Sequence, residues 1–349
     1  DVGGPAMVRS AAKNYNDVTV ITSPNQYDEL IDELKKNNGS TSIKFREKLS
    51  RLAFTETAYY DTIISNYFNK ITNTPFPEKK VFYGNLITQL RYGENPHQLG
   101  ALYSKNSHTN LNQVHGKKLS YNNYNDMLSA LKISKSFPKN KGAVIVKHAN
   151  PCGISIKKNN LDSYKFALSC DPISAFGGIV SCNFLLEKNL AIELNKLFFE
   201  VIIANGFKDD ALKILKKKPN LRLIDASNYK LNEISKFTSI NHEILLQSED
   251  IKKFSSKNFK VVSKKKPTAK QLKDLLFAFN ICRHVKSNAI VIASDQTTLG
   301  IGSGQPSRLD SCQLAIDKMK QCDLRKENLV AASDAFFPFV DGIEKLIQS

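Results

Sequence analysis

Residues 143–153 read AVIVKHANPCG, and this stretch decides the fold. Four apolar residues with β-branched members make a buried strand, and it ends abruptly at Lys147-His148-Ala149-Asn150-Pro151. EVIIAN at 200–205 and AIVIAS at 289–294 have the same character. Amphipathic runs lie between them, among them LAIELNKLF (190–198) and QLKDLLFAFNICRHV (271–285). Strands that alternate with helices in this way predict an α/β protein. In open α/β sheets ligands collect beyond the carboxyl ends of strands, which is where Lys147 and His148 stand. Asn150, Pro151 and Gly153 predict a turn directly afterwards. Lysine can stabilise negative charge growing on a carbonyl oxygen, and histidine can move a proton near neutral pH. On this stretch alone, a surface lysine beside a hydrogen-bonded histidine is the simpler account.

Towards the N-terminus, DVTVIT (17–22) reads as a short strand, and Ser23-Pro24 opens a helix over YDELIDELKK. A longer helix is expected from Thr41 to Asn69, and TNTPFPEKK breaks it with two prolines, which sets a first boundary near residue 76. A polar stretch around 225–240 suggests a second. The run from AVIV to DPISAFGG (171–178) and the run from AIVIAS to SDAFFPF (333–339) each join a buried strand to a later Asp with aromatics, a hint of internal duplication. Aromatic core corners explain the phenylalanines, whereas an Asp beside each cluster points to a ligand.

Three further stretches could bind anions. RYGENPHQ (91–98) offers the donor fork of Arg91 and the ring of Tyr92 beside a Gly-Glu-Asn-Pro turn; arginine is scarce, supplying eight of the 50 basic residues. GIGSGQPSR (300–308) is glycine-rich ahead of a helical run, without the GKS/GKT of a phosphate loop or a GxGxxG dinucleotide fingerprint. In GGPAMVRSAAKN (3–14), Arg9 and Lys13 are four apart on one helix face.

The net charge of +17 favours anionic partners, and a basic nucleic-acid-binding module is the rival class it raises. No aromatics interleave the lysine clusters at 216–218 and 264–266, which argues against base stacking. No apolar run approaches a membrane span, and no secretory signal layout opens the chain. The six cysteines show neither CxxC nor zinc-ligand spacing, so no metal site or disulfide framework is expected, and a reducing cytoplasm is the simplest compartment.

Taken together and in order, RYGENPHQ, KKLSYNN, VIVKHANPCG, DPISAFGGIV, DLLFAFNICRHVKSNAIV, GIGSGQPSR and SDAFFPF resemble the bifunctional enzymes that formylate aminoimidazole carboxamide ribotide (AICAR) and close the ring of the formylated product (FAICAR) to inosine monophosphate (IMP). The resemblance spans essentially the whole chain. It implies a remnant of a methylglyoxal-synthase-like α/β cyclohydrolase domain over 1–76. A duplicated, cytidine-deaminase-like transformylase region follows, with halves at 77–235 and 236–349, and the chain would be truncated at both ends. It implies 10-formyltetrahydrofolate as formyl donor, chemistry without a metal, a cytoplasmic homodimer, and neither nucleic-acid nor membrane partners. By the same resemblance His148, Lys147 and Asn288 are catalytic in formyl transfer, and Arg91, Tyr92, Asn123, Asp171 and Phe336 contact the ribotide. Arg308, Asp341 and Gly342 fall on the folate, while Asp1 and Lys13 belong to the cyclohydrolase site. Pro306 stands where these enzymes usually carry Met or Gln, which bears on the placing of Arg308. A degraded fragment that keeps the fold without activity is the third reading.

Overall fold

The computed structural model describes residues 3–106, 108–230, 236–252, 254–324 and 327–349. The chain divides into two compact units, one made of 1–86 with 103–107, the other of 87–102 with 108–349. Helices α1 (Gly3–Lys13), α2 (Tyr27–Lys36) and α3 (Ile43–Ile71) build the first unit. Ser42 caps α3 by accepting from the Phe45 N–H, and the helix ends before the two prolines expected to stop it. Residues 18–23 form no strand. The alternation in DVTVIT is genuine, but a strand needs a neighbour, and Val20 instead buries against Ala12 of α1 and Ala53 of α3.

The chain continues with β1 (Asn85–Gln89) and β2 (Ala101–Ser104), each of which has residues in both units, and then within the second unit with β3 (Asn112–His115), α4 (Tyr121–Ser134), β4 (Ala143–Lys147), β5 (Asn150–Ser155), α5 (Asn160–Cys170), α6 (Pro172–Ala175) and β6 (Ile179–Cys182). It continues through α7 (Lys188–Leu194), β7 (Val201–Ala204), α8 (Asp209–Leu215), β8 (Arg222–Asp225), β9 (Lys236–Ile240) and β10 (Glu243–Gln247). It closes with α9 (Ala269–Cys282), β11 (Ile290–Ser294), β12 (Thr297–Gly302), α10 (Arg308–Gln321), β13 (Val330–Ser333) and α11 (Asp341–Gln348). Nine strands share one mixed sheet in the order β13-β11-β12-β5-β4-β6-β7-β8-β3. Only the β6–β7 and β7–β8 pairs are parallel. Strands from both sides of the polar stretch 225–240 lie in this sheet.

Strand alternation sorts the core. Val144 and Val146 bury with Met127 and Leu131 of α4 on one face, while Ala143 and Ile145 bury with Tyr164 and Ala167 of α5 on the other. The second half repeats the arrangement. Val291 and Ala293 pack with Phe277 and Ile281 of α9, and Ile290 and Ile292 pack with Ala315 and Ile316 of α10. Helix, strand, two-residue turn, strand and helix therefore occur twice, as α4-β4-β5-α5 and α9-β11-β12-α10. The two copies meet within the sheet, between β12 and β5, where Thr297 pairs with Ser155 and their hydroxyls lie 2.7 Å apart.

Glycines make that layering possible. A Cβ on Gly153 would overlap the Ala167 carbonyl oxygen of α5, and one on Gly300 would overlap the Ala315 carbonyl oxygen of α10. Gly302 stands in the same way against Ser311. Gly300 and Gly302 of GIGSG thus serve close helix approach within β12, while Gly304 lies beyond the strand with φ 69°.

Candidate active site

The turn after AVIVK differs from the one expected. Lys147 pairs directly with Asn150, so the two-residue turn is His148-Ala149, and Asn150-Pro151 already belong to β5. Pro151 is tolerated because the ladder shifts register between Ile145 and Val146, opposite it. Both turn residues take left-handed backbone, with φ 51° at His148 and 59° at Ala149. This is the primed geometry that a two-residue hairpin requires. The second half has the same turn at Asp295-Gln296, with φ 47° and 52°.

A carboxylate on the preceding helix secures each turn. Asp126 of α4 accepts from the His148 N–H at 3.0 Å and the Ala149 N–H at 2.7 Å. Asp274 of α9 accepts from Asp295 and Gln296 at 2.9 and 2.8 Å. Sequence reasoning singled out neither aspartate. The available signal was their spacing, 22 residues before His148 and 21 before Asp295.

His148 is exposed, and Lys147 donates through Nζ to the Phe176 carbonyl at 2.8 Å. Phe176 closes the one-turn helix α6, whose N-cap is Asp171, so Lys147 and Asp171 stand at opposite ends of that turn. Asp171 accepts from the Ser174 N–H and from Lys318 Nζ at 2.6 Å. Burial pushes its carboxyl up, but the bonds from Lys318 and Ser174 outweigh this and hold it below the usual carboxylate range. Nearby Cys152 is no nucleophile: burial, with the Asp171 charge adding to it, pushes its thiol up to about 12, so it stays protonated at neutral pH.

The Lys286–Asn288 segment borders the same turn, since Asn150 Oδ1 accepts from the Lys286 N–H at 3.4 Å. Every polar atom of the Asn288 side chain is engaged. Its Nδ2 donates to the carbonyls of Gln305 and Pro306, both at 2.8 Å, and its Oδ1 accepts from Arg308 Nη2 at 2.8 Å. Arg308 also donates through Nη1 to Ser333 and to Asp334, so that among the described residues two of its five N–H groups have no acceptor. Asp334 accepts from Ser287 and from the Ala289 N–H as well. Burial raises its carboxyl, but these donors win and hold it below the ordinary range. Each Asp of the two aromatic clusters is therefore explained by an ion pair, Asp171 with Lys318 and Asp334 with Arg308, so a ligand is not the only account of them.

Arg91 lies over the Tyr92 ring at 5.5 Å, and the Glu94 carbonyl of their turn accepts from Asn122 Nδ2, one helical turn before Asp126. Asn123 is buried in the capping box of α4, bonded to Ser120, with Nδ2 3.4 Å from Glu200. Phe336 is 81% exposed. Gly342 adjoins Cys312, one turn along α10 from Arg308, and Asp341 accepts from the Gly342 N–H. Lys13 is exposed at the end of α1, while Arg9 lies over the Phe54 ring at 5.3 Å. A cleft of about 540 Å³ in the first unit, lined by Pro5, Val8, Ser23, Tyr27, Glu56 and Tyr60 among others, does not include Lys13. Asp1 lies outside the described residues. Among the described residues, no helix is long and apolar enough to cross a membrane.

Fold and site together define an α/β protein with a lysine–histidine pair presented on a braced turn at a strand end. Residues 11–318 match the family model described as AICARFT/IMPCHase bienzyme, and the chain belongs to that family. The chain is 42% identical to the bifunctional purine biosynthesis protein PurH of Bradyrhizobium diazoefficiens over 364 residues, covering 100% of this chain and 69% of the relative. It is 44% identical to PurH of Listeria welshimeri over 349 residues, covering 99% and 68%, and 42% identical to PurH of a Thermoanaerobacter species over 352 residues, covering 100% and 68%.

Proposed function

We propose that the His148-Ala149 turn is the formyl-transfer centre of this purine-biosynthesis enzyme. The family joins AICAR formyltransferase and IMP cyclohydrolase activities, and the chain's function lies in purine biosynthesis. In this reading the second unit carries the transfer on two deaminase-like halves, and the first unit contributes part of the cyclohydrolase. The observation that carries it is the placing of Lys147 and His148 at a hairpin turn beside Asn150, whose Oδ1 accepts from the Lys286 N–H of the other half.

The ribotide's 5-amino nitrogen attacks the formyl carbon of 10-formyltetrahydrofolate, forming a new N–C bond. His148 takes the amine proton, aided by the substrate's own carboxamide. Lys147 supplies positive charge beside the oxygen as it becomes anionic. Collapse breaks the bond from the formyl carbon to the folate nitrogen, which leaves with a proton as tetrahydrofolate. Asn288 shares that oxygen with Lys147 in this proposal; without substrate its amide donates to the carbonyls of Gln305 and Pro306. Arg91 and Tyr92 contact the ribotide. Asp171, braced by Lys318, suits donors such as ribose hydroxyls. Arg308, with its two remaining N–H groups, faces the folate together with Asp341 and Gly342. A cytoplasmic homodimer completes the proposal.

Incubating the protein with AICAR and 10-formyltetrahydrofolate tests it. Mass spectrometry should find the ribotide heavier by one formyl group, in step with tetrahydrofolate release. Salt-sensitive binding of nucleic acid with no formylated product would favour the rival class.

A further inference from the structure

We infer that Asp126 is a positioning residue for formyl transfer: its carboxylate fixes the turn that carries His148 and so sets where the imidazole stands. This rests on His148 being the proton acceptor.

Left-handed backbone is unfavourable for residues with a Cβ, by roughly 1 kcal/mol or more at each position. His148 and Ala149 adopt it consecutively, as the two-residue hairpin demands, and helix α4 supplies contacts that hold it there. Asp126 takes both turn amides with its two carboxylate oxygens, and such charge-assisted bonds are the stronger kind. Ser129, also on α4, donates to the Ala149 carbonyl at 2.8 Å. Asn150 donates to the His148 carbonyl at 3.2 Å. All four backbone polar groups of the turn are therefore held, two of them by Asp126 alone. The His148 side chain is exposed, so its direction depends on the backbone that bears it.

The second half supplies an internal comparison. Asp274 holds Asp295-Gln296 by the same pair of bonds, yet that turn carries an ion pair, with Lys157 Nζ 2.6 Å from Asp295 Oδ2. If the carboxylate served only the fold, removing it from either half would act on stability alone. If it also aims His148, only its removal from the first half should slow transfer.

The experiment compares Asp126→Asn with Asp274→Asn in the whole protein, by kcat and KM for the ribotide at saturating folate donor, alongside the thermal midpoint. Asparagine keeps one acceptor and turns an NH₂ group towards the other amide. Asp126→Asn should lower kcat by about tenfold or more with KM within about threefold, the signature of an interaction needed in the transition state. Asp274→Asn should lower the midpoint and leave kcat within about twofold. Should Asp126→Asn fold poorly, adding Ala149→Gly removes the left-handed penalty, and kcat should stay low in the restored protein. A kcat near wild type in Asp126→Asn, or an equal loss in Asp274→Asn, overturns the inference. His148→Ala separates the two ideas. If it is inactive while Asp126→Asn is fully active, only the positioning role is lost; if it turns over normally, the reading of His148 goes with it.

Discussion

His148→Ala is expected to reduce formyl-transfer turnover by about 10²–10⁴-fold, the usual contribution of a positioned general base. Ribotide affinity should change by no more than a few-fold, because the groups proposed to bind it lie elsewhere. Arg91 and Tyr92 lie on the turn whose Glu94 carbonyl is tied to Asn122, and Asp171 is fixed by Lys318 and Ser174. The imidazole stands exposed on a hairpin turn and fills no core space, so truncating it should leave stability nearly unaltered. Steady-state kinetics with calorimetric titration of the ribotide checks both halves of the expectation. Turnover near wild type, or parallel loss of turnover and affinity, would remove His148 from the chemistry.

The second large effect concerns the frame that presents this turn. Gly153→Ala would set a methyl group into the Ala167 carbonyl oxygen, with Cys170 Cβ only 2.9 Å away. The Ala167 backbone and a Cβ fixed to its own backbone leave no flexible side-chain end to yield, so β5 and α5 must separate. Overpacking of this kind costs about 3 kcal/mol. It should appear as a lower urea midpoint with an unchanged slope. The same strand bears Asn150 and borders the Ser155–Thr297 junction between the halves, so turnover should fall along with stability. A midpoint equal to wild type would mean that the helix approaches the strand less closely than described.

How far the sequence foretold this depends on the kind of signal. AVIV, EVIIAN and AIVIAS became strands because four or more apolar residues can be buried on both faces only within a covered sheet. Their alternation could not say which helix each face meets; that choice is tertiary. DVTVIT shows the converse, a strand-like pattern without a partner to pair with. Lys147 and His148 were visible at a strand end, but the turn was misplaced by two residues. Asn-Pro is the stronger local turn signal, and the carboxylate that favours His148-Ala149 lies 22 residues upstream. Asp334 lay in a quoted motif, but its pairing with Arg308 spans 26 residues that no local pattern connects. Comparing the two halves position by position is the route by which Asp126 and Asp274 become legible, since each sits at the sixth residue of its helix.

The most direct test of the formyl-transfer assignment is a crystal structure of the protein with AICAR and a folate analogue that cannot release its formyl group. The account predicts the 5-amino nitrogen within about 3.5 Å of the His148 imidazole and the formyl oxygen on the side of Lys147 Nζ. A ribotide bound away from the His148-Ala149 turn, or seated there with its amino group turned from the imidazole, would contradict it.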